Sequence, residues 1–388
     1  MPAAPAALMP TDAPSLIEPA RLEAPSPAIL DLVADLAAAA GALSNVVHPR
    51  AERAFGDLVR IMDTHYSNRM AGHEADPRDI ARALVYDFST DPRRRHLQEE
   101  AGAHVRVLAV VDNLAAATRV PEPASRAFLC WLHHDYYLHA PEEMLRLPVA
   151  GREVVMAPGQ WRNRPEHDQL LNGDRKTPAF AALGEVMAYF ETRYKFEGLG
   201  TSARTLAIPA AHHRLDAVHP FPEGNGRVTR LMSHAMLMKA GLGARGLWSL
   251  SRGLALGLEE RSEYPQALAS DNLESFVQWF LRVCLDQVAF MTRLFKPAEL
   301  APRLKKLVHQ SGMMRVEAVP LLEEALVRGE ITAAEAPRLS GLAERHARRT
   351  IEDLQRAGLL AAETADGPLS LRFPMQYLDL LFPRLHSS

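Results

Sequence analysis

The string His219-Pro220-Phe221-Pro222-Glu223-Gly224-Asn225-Gly226-Arg227-Val228-Thr229-Arg230 narrows most what this chain can fold into. Two prolines and two glycines fall within residues 219–226 and cannot belong to a continuous helix. Helical patterns nevertheless lie on both sides. Thr205–Val218 reads as a helix, and Val228, Leu231, Met232, Ala235 and Met238 repeat at helical spacing up to a stop at Gly241. The expected local structure is therefore helix, tight turn, helix. Gly224 and Gly226 permit a backbone in which successive N–H groups turn inward and cradle an anion, and the following helix adds its positive end. Arg227 and Arg230, three apart, share one face of its first turn. Two guanidiniums beside a glycine nest suit a polyphosphate. Glu223 at the mouth of the nest is a natural Mg²⁺ ligand, since the ion can bridge carboxylate and phosphate. His219 can be neutral near physiological pH and take a proton from an attacking hydroxyl, while Phe221 is expected to point into the core. Each residue alone has a bland explanation as a structural histidine, a turn or a solvated face. The ordered set has none, and it suits in-line attack on a nucleotide phosphate.

The rest of the chain reads as mainly α. Residues 1–27, rich in Pro and Ala without an apolar period, read as a disordered tail. Leu30, Leu32, Val33, Leu36 and Ala37 begin a helical pattern, and another helix is expected from about Ala51 to His65, with Ser67–Gly72 ending it. Pro77 starts a helix through Leu84. Residues 100–148 are helical with breaks near Pro121 and Pro141, and Leu147–Arg162 reads as a short hairpin and loop. Residues 175–200 and 262–296 are again helical. The last 90 or so residues read as a separate small domain in the order of a winged helix. A capping-box pattern opens it at Thr332–Glu335, Glu344–Ala357 is a basic amphipathic helix, and a hairpin follows around Asp366-Gly367.

Composition adds exclusions. The 388 residues carry a net charge of −3 and 47% hydrophobic side chains, so nothing global argues for nucleic acid or membrane. Cys130 and Cys284 form no CxxC pair and read as buried thiols of a reducing compartment. The N-terminus lacks the pattern of a signal peptide, and no apolar run is long enough to span a bilayer, so a cytoplasmic location is expected. His133-His134 and His212-His213 are neighbours that point in different directions on a helix and make poor joint ligands. Tyr264 and Trp279 read as core, with an adenine pocket as the alternative.

The motif resembles the signature of the Fic family, HxFx(D/E)GNGRxxR, with every defined position filled, and the similarity extends loosely over residues 28–295. The resemblance implies a Fic-type helical bundle: a helical region over 28–100, a catalytic core over 101–296 and the winged helix over 297–388. It also implies protein adenylylation, the transfer of AMP from ATP to a Ser, Thr or Tyr hydroxyl of a target protein, with the chain itself among the candidate targets. His219 is then the base and Glu223 the Mg²⁺ ligand. Gly224, Asn225 and Gly226 cradle the phosphates, Arg227 contacts the β-phosphate and Arg230 orients the γ-phosphate. Pro158, Gly159 and Arg162 of PGQWR resemble the segment that forms or adjoins the family's target-docking flap. Ser67–His73 resembles the inhibitory helix (S/T)xxxE(G/N), whose glutamate pairs with the second motif arginine. Here Ser67 and Gly72 match and Ala71 stands at the glutamate position, either as the natural residue or as a replacement. Arg230 is accordingly expected to be unpaired. Dimers are common in the family. Transfer of another nucleotide or phosphate-linked group and removal of AMP remain alternatives within the class. From another class, Arg345, His346, Arg348, Arg349 and Arg356 could meet DNA, although a packing or protein-interaction module is the preferred reading of the C-terminal unit.

Overall fold

The computed structural model of the chain describes residues 13–149, 151–171, 177–259, 263–269, 272–312, 314–364 and 367–386. The order is α1 (Ala13–Ile17), α2 (Pro27–Leu43), α3 (Glu52–Met70), α4 (Pro77–Leu84), α5 (Pro92–Ala116) and α6 (Arg126–Tyr137). A short α7 (Glu142–Leu145), a hairpin of β1 (Arg146–Val149) and β2 (Arg152–Val155), and α8 (Pro165–Asp168) follow. The bundle continues with α9 (Leu183–Tyr194), α10 (Thr201–Val218), α11 (Asn225–Lys239), α12 (Leu250–Glu259), α13 (Glu263–Ala269) and α14 (Leu273–Phe295). The architecture is mainly α, as expected, and no described helix is long and apolar enough to cross a membrane.

Helix starts follow local chemistry. Asp76, Asp91, Ser125 and Asn272 each cap a first turn by accepting a backbone N–H, and Pro77 and Pro92 take first-turn positions where no N–H is needed. The long α14 turns Phe276, Phe280, Cys284, Val288 and Met291 inward and lies along Ile29, Val33, Leu36 and Ala40 of α2. α10 is buried on nearly every side from Thr205 to Leu215 and packs on α11. The turn between these two helices is thus fixed by the centre of the core.

Residues 297–386 contain α15 (Pro297–Ser311), α16 (Ala318–Arg328), β3 (Glu330–Ile331), α17 (Ala336–Ser340), α18 (Glu344–Arg356), β4 (Leu360–Ala362), β5 (Leu369–Leu371) and α19 (Leu378–Leu381). The strands form an antiparallel sheet in the order β3-β5-β4. The capping box at Thr332 and Glu335 is formed. Of the expected hairpin turn, Asp366 lies outside the described residues. In α18, Ala347, Ile351 and Leu354 are buried, while Arg345, His346, Arg348, Arg349 and Arg356 are exposed. This unit shares its core with the bundle. Phe55 of α3 meets Phe373 at 4.8 Å and Phe295 at 4.7 Å between ring centroids, and the Tyr66 hydroxyl donates to the Leu385 carbonyl at 3.0 Å.

Two expectations change. α3 does not stop at His65 but runs through Met70, because its buried stripe continues through Tyr66, and Gly72 with φ 77° ends it. Of the expected disordered tail, residues 1–12 lie outside the described residues. Residues 13–27 are seated on the bundle, with Ile17 and Ala20 wholly buried. Glu18 accepts from the Tyr189 hydroxyl and from Arg193 Nε, each at 2.7 Å, and from its own Ala20 N–H. Composition misled here because a few well-placed side chains suffice to anchor a short segment. Replacing Ile17 by Ala is expected to destabilise the whole chain by about 2–4 kcal/mol in urea unfolding, whereas an unattached tail predicts no change.

Candidate active site

α10 ends at His219 in the left-handed region, φ 46° and ψ 62°. For a residue with a Cβ this costs about 1–2 kcal/mol, and the surroundings hold it. The imidazole Nδ1 sits against the Asp216 carbonyl. An Nδ1–H donated there makes Nε2 the basic nitrogen. The turn is clasped by Asn225, whose Oδ1 accepts from the Phe221 N–H and whose Nδ2 donates to the Phe221 carbonyl, both at 2.8 Å. Gly224 is required twice over. Its φ is 79°, and a Cβ there would lie 2.7 Å from the Tyr137 hydroxyl.

Phe221 points into the core as expected, and its ring stacks on His133 at 4.1 Å and 14°. His133 Nδ1 accepts from the Gly159 N–H at 2.8 Å, so Nε2 carries the proton donated to the Glu223 carbonyl at 3.2 Å. Burial pushes its pKa down to about 4 and keeps the ring neutral. His133 therefore ties the PGQWR loop to the motif, a role its sequence neighbourhood did not reveal.

Arg162 is a correction. Its side chain is fully buried, not presented for docking. It pairs with Asp168 and donates to the carbonyls of His219 and Pro178, each at 2.8 Å, while its backbone N–H donates to Pro220. It is a clamp beneath the turn. Pro158 and Gly159 lie in the loop just after the hairpin, and Gly159 fits so closely on α6 that a Cβ would come within 3.0 Å of the Cys130 carbonyl.

A cavity of about 270 Å³ opens above the turn, lined by His219, Glu223, Gly224, Asn225, Gly226, Arg227 and Arg230, with Met70 and Ala71 across from them. A neighbouring cavity of about 820 Å³ shares Met70, His219, Gly226 and Arg230 as walls and extends to Ser15, Leu16 and Tyr264. The structure thus brings all the motif residues and the 67–72 segment to one place, and it puts Tyr264 in the second cavity's lining.

The two arginines are partnered differently. Arg227 forms an ion pair with Glu100 of α5, whose carboxylate is wholly buried and also accepts from the Tyr136 hydroxyl at 2.8 Å. His73 Nδ1 stands 2.8 Å from the same carboxylate. Burial alone would raise the Glu100 pKa, but His73 and Arg227 hold it below the ordinary carboxylate range. The sequence reading missed Glu100. Its signal was an acid set among the small and apolar residues of a long helix. Arg230 is not unpaired as expected. Its Nε donates to Ser67 Oγ and its Nη2 to the Ser67 carbonyl, both at 2.8 Å. Among the described residues no carboxylate hydrogen-bonds to it. The guanidinium sits on the negative end of α3, a weaker hold than an ion pair.

Glu223 is half exposed, with Oε1 accepting from the Gly224 N–H at 2.9 Å and lying 3.8 Å from Arg227. Among the described residues no cluster of three acidic, His or Cys ligands could hold a metal unaided. One carboxylate at a phosphate cradle nonetheless fits Mg²⁺, which takes its remaining ligands from phosphate and water.

The site is thus a glycine turn between two central helices of a helical bundle, with two arginines above it. Residues 123–237 match the model of the Fic/DOC family. Protein adenylyltransferase Fic of Drosophila erecta is 34% identical over 93 residues, 24% of this chain and 18% of that protein. Its Drosophila melanogaster counterpart is 31% identical over the same length. The chain therefore covers less than a fifth of these relatives, at 18%. A solved Fic family protein from Desulfovibrio desulfuricans shares the fold, with a TM-score of 0.50 and 16% identity over 89% of this chain and 96% of that one. The likeness to the Fic family is thus carried by residues 123–237 of this chain.

The His133 shift carries a pH dependence. Its folded pKa of about 4 lies below the unfolded value of about 6.5, so its contribution is complete above pH 6.5 and is lost as pH falls through 4. Stability should decline by up to roughly 3 kcal/mol over that window on this account. His133→Gln should lower stability near neutrality and flatten this part of the acid limb, as followed by thermal unfolding at stepped pH.

Proposed function

We propose that the chain is a protein adenylyltransferase, moving AMP from ATP to a Ser, Thr or Tyr hydroxyl of a protein. The observation that carries this is the placing of a basic imidazole nitrogen at the wall of a cavity built from a glycine turn, a helix N-terminus and two arginines. Nε2 of His219 takes the proton of the hydroxyl, the oxygen bonds to the α-phosphorus, and the bond to the β-phosphate oxygen breaks to release pyrophosphate. Gly224–Gly226 hold phosphate oxygens through their N–H groups. Arg227 serves the β-phosphate while Glu100 keeps its guanidinium in place. Arg230 exchanges Ser67 for the γ-phosphate. Glu223 would hold Mg²⁺, which when bound offsets charge on the α- and β-phosphates. The hairpin of β1 and β2, with Pro158 and Gly159 at its base, is the element we assign to target docking.

The same reading gives Ala71 meaning. It faces the cavity that Arg230 lines, so a glutamate there could capture that guanidinium. Removal of AMP is disfavoured on this reading, since the family's inhibitory glutamate is thought to position the attacking water. We read residues 297–388 as a winged helix used for packing. The packing of Phe373 and Phe382 on Phe55 of α3 favours this over an independent DNA reader, despite the exposed basic face of α18.

Incubation with α-labelled and γ-labelled ATP tests the transfer. Protein-bound label is expected only from the α-position, and none from His219→Ala, which still binds ATP. Label arriving from the γ-position, or from UTP in preference to ATP, would replace adenylylation by a sister reaction. Ala71→Glu is expected to lower transfer by roughly tenfold or more, since an ion pair replaces a neutral contact at Arg230. Equal rates would remove the inhibitory reading of the 67–72 segment.

A further inference from the structure

The N-terminal segment 13–21 is a wall of the larger cavity and not of the smaller one. Leu16, Glu18 and Pro19 line the space of about 820 Å³ together with His219, Gly226 and Arg230, and none of the three borders the space of about 270 Å³ over the glycine turn. α1 has 5 residues, too few to hold a helix by itself. Its place is set by side chains that reach into the bundle and from it. Ile17 and Ala20 are wholly buried. The Glu18 carboxylate accepts from the Tyr189 hydroxyl and from Arg193 Nε of α9, each at 2.7 Å, and Arg214 Nη2 of α10 donates to the Pro19 carbonyl at 3.3 Å. Neither Tyr189 nor Arg193 lines either of the two cavities.

Nucleotidyl transfer decides which cavity takes which part of the substrate. The attacked α-phosphorus must lie beside His219, and the β- and γ-phosphates then follow toward Arg227 and Arg230. The ribose is bonded to the α-phosphate, so the nucleoside extends from His219 into the neighbouring space that shares this residue as a wall. Leu16 and Pro19 on the segment, with Leu258 of α12 and Leu268 of α13, give that space apolar walls, which suits a flat base. The polyphosphate thus meets the motif alone, and the nucleoside meets the segment.

We propose that segment 13–21 is a detachable wall of the nucleoside site, with Glu18 and Arg193 as the positioning residues that seat it, so that the site holds a nucleoside triphosphate better than a bare polyphosphate only while the segment is in place. This coupling rests on the nucleotidyl-transfer reading and adds to it the part of the chain that grips the nucleoside. Linkage makes the effect reciprocal. A ligand that touches the seated segment keeps it seated, by the same factor by which unseating weakens that ligand. Pyrophosphate reaches no part of the segment and carries no such coupling.

Arg21 makes the test. It is the first basic residue of the chain, so trypsin acting on an unseated segment releases residues 1–21. The full chain carrying His219→Ala measures binding without turnover. Saturating ATP is expected to slow release of that peptide roughly tenfold or more, as read by mass spectrometry, and pyrophosphate is expected to leave the rate unchanged. Adding Arg193→Ala, which alters no residue lining either cavity, should speed the release. In titration calorimetry it should weaken ATP by roughly tenfold and leave pyrophosphate binding as in the parent. Glu18→Ala, which cuts the same tie from the other side, should do likewise. Release untouched by bound ATP, or slowed as much by pyrophosphate, overturns the coupling without recourse to any variant. So does faster release with ATP affinity unchanged, an equal loss of ATP and pyrophosphate binding, or release no faster in both variants. Each of these leaves nucleotide transfer standing. Failure of the parent to bind any nucleotide overturns the transfer reading and the inference together.

Discussion

The buried pair of Arg227 and Glu100 is the constraint around which the site is organised. A guanidinium taken out of water without a partner costs several kcal/mol, and removing one member of such a pair strands the other. The motif helix α11 brings two arginines into the core, and their closest partners lie outside the motif. α5 supplies a carboxylate for one and α3 a hydroxyl and a carbonyl for the other. The glycine turn and its arginines are therefore inseparable from helices that precede them by more than a hundred residues.

The difference between the two partners sets what each arginine can do. Arg227 is held by an ion pair strengthened by Tyr136 and His73, which orients it and limits its movement. Arg230 is held by neutral groups at the end of a helix, and an incoming anion competes with these more easily. A preset cation beside an exchangeable one suits a polyphosphate chain, where one position must be fixed and the next must adapt.

What was legible in the sequence was local. The turn between α10 and α11, the helix Pro77–Leu84 and the capping box of Thr332 and Glu335 all follow from residues adjacent in the chain. So did the placement of Ser67–Gly72 near the second arginine, through family resemblance. The unread features are long-range pairings. Glu100 meets Arg227, His133 reaches Gly159 and Glu223, and Arg162 closes on His219, and none of these leaves a periodic trace. Arg162 was misread because its neighbours sit beside a flap, whereas the hydrogen-bonding capacity of its own side chain is spent on carbonyls below the turn. The N-terminal segment was misread because Pro and Ala suggest solvation, while the buried Ile17 and Ala20 and the hydrogen bonds of Glu18 seat it.

The stretch recognisable by comparison is 123–237. It contains the glycine turn and His219, yet Ser67, Glu100 and Tyr264 lie outside it. A transplant of that stretch into another scaffold would carry both arginines without Glu100 and Ser67, and one wall of a vessel. The part of the chain that advertises its ancestry is smaller than the part that must be inherited as one piece.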